Sequence, residues 1–213
     1  LTNYVTTFGS SNTTVLGTLG WGRDSRDSAI YTTKGTVQNA SAEIALPVFD
    51  MRYYKLNYRH QWFYPVSSDF TLLLNGELGF AGGYGGKPMP FFKNFYAGGT
   101  GSVRGYEPNS LGPRDATGAV LGGTRRVVGG AEFLMPVPGM GKDKSVRLSA
   151  FFDAGAIYGK GDLPGSSGLR YSAGAAITWV SPMGPLKFSY AIPLNKKPDD
   201  KLQKFQFSIG SMF

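Results

Sequence analysis

The chain has 213 residues, enough for one large all-β unit, and its mean hydropathy of −0.16 with 41% hydrophobic residues is that of a soluble protein. No stretch approaches the roughly 20 apolar residues of a membrane helix, and the lack of cysteine excludes a disulfide scaffold and thiolate metal sites. A net charge of +8 would suit nucleic acid, but the basic residues alternate with apolar ones or sit in turns and form no helix face or aromatic RNP-like motif, which argues against that partner.

Period-two alternation of apolar and polar residues runs through nearly the whole chain and predicts strands. Weaker strands fit near 13–22 and 36–46. Tyr54, Leu56, Tyr58, His60 and Trp62 then face one way, against Tyr53, Lys55, Asn57, Arg59 and Gln61. Phe70, Leu72, Leu74, Leu78 and Phe80 follow, opposite Thr71, Asn75 and Glu77. A weaker strand near 122–135 comes next. Val146, Leu148, Ala150, Phe152, Ala154 and Tyr158 oppose Arg147, Ser149 and Asp153. Leu169, Tyr171, Ala173, Ala175, Ile177 and Trp179 oppose Arg170, Ser172 and Thr178. Leu186, Phe188, Tyr190 and Ile192 oppose Lys187 and Ser189, and Phe205, Phe207, Ile209 and Phe213 close the chain opposite Gln206 and Ser208.

These strands reach about 10–12 residues, the span of a tilted membrane strand, whereas strands of a soluble β-sandwich are usually near 5–6 residues. Aromatics, 14% of the chain, cluster at strand ends as interfacial girdles do. The fold class expected is all-β, an antiparallel transmembrane β-barrel in the bacterial outer membrane. An exported protein needs a signal peptide; the first residues have no such layout, so the chain reads as mature or trimmed.

Barrels of this class finish on the periplasmic side. Counting back makes 181–185, 136–144, 64–69 and 23–35 periplasmic turns, and 194–201, 159–168, 83–121, 47–51 and 1–12 extracellular. About nine strands are found, an odd number where bacterial single-chain barrels use even ones. The chain therefore reads as part of a larger barrel. Taken alone it is expected to close on itself rather than pair with a second copy, because an open edge in lipid costs several kcal/mol per unsatisfied group.

The stretch 83–121 is too long for a plain hairpin, and such loops are usually functional. It holds Pro90 to Gly99 (PFFKNFYAGG), then Gly101-Ser102-Val103-Arg104-Gly105-Tyr106, then Asn109 to Pro113. This resembles the sixth outer loop of the BamA-like assembly factors (the bacterial surface antigen family), with its Val-Arg-Gly-Phe/Tyr tip. Phe151 to Gly155 resembles that family's inner-wall Asp-x-Gly strand, Ser181 to Ala191 its penultimate strand, and Phe205 to Phe213 its carboxy-terminal β-signal. TamA-like and two-partner-secretion relatives share the tip but fit the flanking segments less well.

The resemblance implies that residues 1–213 are the carboxy-terminal transmembrane region, about nine strands of a 16-stranded barrel beginning in the fourth outer loop. The amino-terminal POTRA domains and first strands would be absent. It also implies a loop latch of Val103, Arg104, Gly105 and Tyr106. An arginine inside a barrel needs carboxylate partners, and the alternation puts Glu132 and Asp153 on the lumen face. The expectation is that Arg104 contacts one or both. A seam is implied at the last strand, through Phe205, Phe207, Ile209, Gly210 and Phe213, where Gly210 permits a kink and the exposed backbone edge can pair with another strand.

Enzyme and metal motifs fail. Gly82 to Lys87 is glycine-rich, but Ala81 and Pro88 stand where a phosphate loop needs glycine and Ser or Thr. His60 is the sole histidine and its phase puts it toward lipid, an interfacial position rather than a catalytic one. Local ion pairing is the expected use of the charges in Arg23 to Ser28. No enzyme activity and no cofactor are expected. The function implied is assembly and insertion of other outer-membrane β-barrels. Its partners would be client barrels, outer-membrane lipids and lipopolysaccharide, and accessory assembly lipoproteins through the POTRA domains. The alternative is a two-partner-secretion type translocation pore; a passive porin would lack the Val103–Tyr106 loop, and a hydrolase would need an acid/base constellation at the rim, of which there is none.

Overall fold

The computed structural model describes residues 13–139, 145–162, 168–182 and 184–210. The strands in chain order are β1 (Leu16–Asp24), β2 (Gly35–Ala45), β3 (Tyr53–Pro65), β4 (Thr71–Gly83), β5 (Gly105–Tyr106), β6 (Arg125–Pro136), β7 (Val146–Tyr158), β8 (Arg170–Ser181), β9 (Gly184–Pro193), β10 (Leu202–Gln203) and β11 (Phe205–Ile209). Nine of them form one antiparallel sheet in the order β1-β2-β3-β4-β6-β7-β8-β9-β11, while β5 and β10 pair with each other. Each neighbour in the large sheet is the next long strand of the chain, so hairpin connections alone build it. The long loop 84–124 contains a 3-10 turn (Phe91–Lys93) and β5.

Burial is inverted relative to a soluble protein. Leu56, Trp62, Tyr64, Leu78, Phe80, Val127, Phe152, Trp179, Phe188 and Ile192 are exposed. Gln61, Thr71, Glu132, Arg147, Ser149, Asp153, Ser172 and Thr178 are buried. Such a surface is unfavourable in water and favourable in hydrocarbon, which solvates apolar side chains and rejects ionised ones. Outward rings pair along the strands. Trp62 meets Tyr64 edge-on at 5.7 Å and Phe70 stacks on Phe133 at 5.5 Å near the end that carries the shorter turns. Tyr54 lies 5.9 Å from Phe80, and Phe152 stacks on Tyr171 at 6.1 Å, toward the end that carries loop 84–124. His60 lies in the outward phase, with its Nδ1 3.2 Å from the Tyr58 hydroxyl. The inner face is not wholly polar: Phe63, Leu73 and Leu134 form a buried apolar cluster on it.

The sheet curls, because inward side chains bond to elements several strands away. Arg147 of β7 donates from Nη1 to the carbonyl of Thr32 at 2.9 Å and from Nη2 to that of Tyr31 at 3.3 Å, both in the turn between β1 and β2. That turn, 25–34, is built by its own side chains. The Ser28 hydroxyl accepts from the amide of Tyr31, and the Thr32 hydroxyl donates to the Ser28 carbonyl. Asp27 accepts from the amides of Thr33 and Lys34 and from the Thr33 hydroxyl. Arg26 pairs locally with Asp24 at 2.6 Å.

Among the described residues the curl does not close. β1 pairs only with β2 and β11 only with β9, which corrects the expectation that the chain seals itself. Barrel diameter grows with strand number, and the concave face already holds loop 84–124. A ring of nine strands would be too narrow to keep it.

Candidate functional site

Loop 84–124 turns back against the concave face, and its tip is fixed by packing before any charge is considered. Val103 and Tyr106 are fully buried in a cluster with Phe95, Ala97, Leu111, Val128 and Ile157. A Cβ added at Gly155 would stand 2.8 Å from Val103 Cγ2, so the bare backbone of β7 is the notch that admits the tip. Gly105 has φ +90°, a left-handed conformation that other residues rarely hold. A Cβ there would also stand 3.1 Å from the Ala191 methyl.

This brings Arg104 between β6 and β7. Its Nε donates to Asp153 Oδ2 at 2.7 Å and its Nη2 to Oδ1 at 2.8 Å, the bidentate fork. Its Nη1 donates to Glu132 Oε2 at 2.9 Å, and its backbone N–H to Asp153 Oδ2 at 3.2 Å. The guanidinium carbon lies 3.4 Å from the ring centroid of Phe151, a cation–π contact from the strand that supplies Asp153. Glu132 is shared. Lys187 of β9 donates to both its oxygens at 2.8 and 3.0 Å, and the Ser149 hydroxyl donates to Oε1 at 2.6 Å. Two cations and two carboxylates thus cancel in a site where Arg104, Glu132 and Asp153 are 5%, 3% and 2% exposed. Burying these charges costs several kcal/mol each unless all are paired, and here each has partners of opposite sign.

On its other side the tip meets the end of the chain. Gly105 and Tyr106 pair as β5 with Gln203 and Leu202 of β10. The amide of Glu107 donates to the carbonyl of Lys201 at 2.9 Å. The buried Gln206 of β11 donates from Nε2 to the Tyr106 carbonyl at 2.7 Å.

Residues 103–106, 132 and 153, singled out in the sequence, are thus brought into one cluster. Lys187, Ser149, Phe151 and Gln206 belong to it and were not singled out. Their inward phase was readable, but not which opposite strand they would meet. Phe205, Phe207 and Ile209 project outward, the first two rings stacked at 6.4 and 6.1 Å from Phe188. Gly210, with φ +83°, ends β11, its amide bonded to the Pro185 carbonyl at 2.9 Å. Phe213 lies outside the described residues. A second polar cluster, not foreseen, ties loop 84–124 to the opposite part of the wall. Lys93 meets Glu43 at 2.8 Å, the Tyr53 hydroxyl donates to Glu43 at 2.6 Å, and Lys55 donates to the Lys93 carbonyl at 2.9 Å.

A curved antiparallel sheet with an apolar exterior, enclosing a loop bound to its inner wall, defines the class: a transmembrane β-barrel with a loop-filled lumen. Residues 5–213 match the Omp85 superfamily domain, and the chain belongs to that superfamily. It is 47% identical to the outer membrane protein assembly factor BamA of Neisseria meningitidis serogroup B over 92% of its own length and 28% of that protein's. It is 28% identical to the human sorting and assembly machinery component 50 homolog, over 89% of its length and 44% of that protein's. The crystal structure of Haemophilus ducreyi BamA lacking POTRA domains 1–3 superposes with a TM-score of 0.82 at 31% identity, covering 89% of this chain and 41% of that one. The chain thus spans less than half the length of each of these relatives.

Proposed function

We propose that the chain is the carboxy-terminal barrel region of an outer-membrane assembly factor that folds other β-barrel proteins into the bacterial outer membrane. The observation that carries this reading is the loop tip bound by Arg104 to Asp153 and Glu132, in a chain so similar to named assembly factors. Residues 103–106 with Glu132 and Asp153 act as a latch that holds the loop and stabilises the wall. Residues 205–210 and Phe213 form one side of a seam where a client strand pairs by backbone hydrogen bonds, driven by apolar burial in lipid. No bond-making chemistry and no cofactor are involved. The translocation-pore reading is less favoured, since the relatives compared above are assembly components by name.

Outer-membrane lipids and lipopolysaccharide solvate the exterior. Accessory lipoproteins would bind POTRA domains outside this chain. The test is depletion of the full-length protein with rescue by wild type, Arg104→Ala or Arg104→Glu. Depletion is expected to lower the levels of other outer-membrane barrels, with weak rescue by either variant. Unchanged levels after depletion would reject the assembly reading.

A further inference from the structure

The last strand is joined to the sheet by a short ladder. β11 pairs with β9 over Phe205–Ile209, whereas every other pair in the sheet spans nine or more residues. β9 itself has a proline at each limit. In an antiparallel ladder alternate residues bond to the same neighbour. On β9 the odd-numbered ones face β11: the Ala191 amide donates to the Lys204 carbonyl at 2.8 Å, and the Pro185 carbonyl accepts from Gly210. At the two ends of this set of odd positions stand Pro185, which bonds through its carbonyl alone, and Pro193; neither has an N–H to give. Continuing the register Phe205↔Tyr190 places Leu202 opposite Pro193, and there the chain leaves the sheet and pairs with the loop tip instead.

We propose that the Val103–Tyr106 tip is a tether for the terminal strand. It offers β5 as the ladder partner that Pro193 denies on β9, and it adds the Gln206–Tyr106 bond inside the sheet. Arg104 therefore sets the position of residues 201–206 through the tip, its own hydrogen bonds and ring contact going to β6 and β7. Releasing the tip leaves β11 held by its five-residue ladder and the few bonds to β9 beside it, free to shift along or away from β9. The role rests on the seam reading given above only for its biological use; the mechanical coupling stands or falls by itself.

The experiment is amide hydrogen exchange, read by mass spectrometry, on the full-length protein in lipid nanodiscs. Arg104→Ala is expected to speed exchange across 201–209 about tenfold or more while β7 and β8 keep their protection. Gln206→Leu leaves every Arg104 contact in place and is expected to loosen 205–209 without freeing 98–104. Should Arg104→Ala fail to fold, Gln206→Leu and Arg104→Lys carry the test. Exchange in 201–209 that stays at the wild-type rate while the tip loosens overturns the tether. So does loosening of the whole sheet together in Gln206→Leu. Because the readout is exchange and not client assembly, a failed tether leaves the assembly reading intact, and the reverse also holds.

Discussion

Arg104 is the residue on which the inner face turns. Removing it leaves Asp153 without its fork and Glu132 with Lys187 and Ser149 only. Truncating one partner of a buried ion network costs about 3–5 kcal/mol, because the remaining charge stays desolvated. Arg104→Ala is therefore expected to lower the thermal midpoint of the micelle-folded protein by that equivalent. Arg104→Lys should fall between, since an ammonium cannot reproduce the bidentate geometry or the stacking on Phe151. In a double-mutant cycle Arg104→Ala and Asp153→Ala should be strongly non-additive; additive losses would mean the pair contributes nothing. The acids were readable in the sequence because strand parity alone decides which side chains face inward. Lys187 obeys the same parity, but its partner depends on how far the sheet curls, which no single strand encodes.

Among elements, the turn 25–34 is longer than a hairpin needs and reaches β7 through Arg147. Arg147→Met should release it, at a cost of about 1–3 kcal/mol for carbonyls left unpaired, and limited proteolysis near Tyr31 and Lys34 should accelerate. Burial pushes the Asp27 carboxyl up, but the Thr33 hydroxyl and the amides of Thr33 and Lys34 outweigh that and hold it at about 2. This lies below the ordinary aspartate value of about 3.9, so the stabilisation is present above about pH 3.9 and is lost as pH falls through about 2. Asp27→Asn should therefore speed cleavage of the turn at pH 7, with the difference from wild type shrinking in acid. The long strands were legible because their alternation spans ten residues or so. β5 and β10 were not: two residues carry no periodicity, and their pairing joins segments about a hundred positions apart. The prolines at 185 and 193 were visible, but their meaning required the parity of the hydrogen bonds.

At the scale of the molecule, the two sheet edges distinguish this chain from a sealed ring. Alternate amides of β1 face away from β2 and have no strand to accept them among the described residues. In the chain folded alone in micelles they should exchange rapidly, while those of β4, paired on both sides, stay protected; in the full-length barrel the β1 amides should be protected as well. Equal protection in both would mean that the chain does close on itself. Finally, the tip gripped from both sides constrains the order of folding. Arg104 needs the β6–β7 hairpin, whose acids follow it in the chain, and Tyr106 is held by Gln206, which lies 100 positions further on. Loop closure over such separations is slow compared with hairpin formation. The tip can therefore seat only after its hairpin exists, and it is secured only when β11 has been made, which makes its docking a late checkpoint of the barrel's own folding.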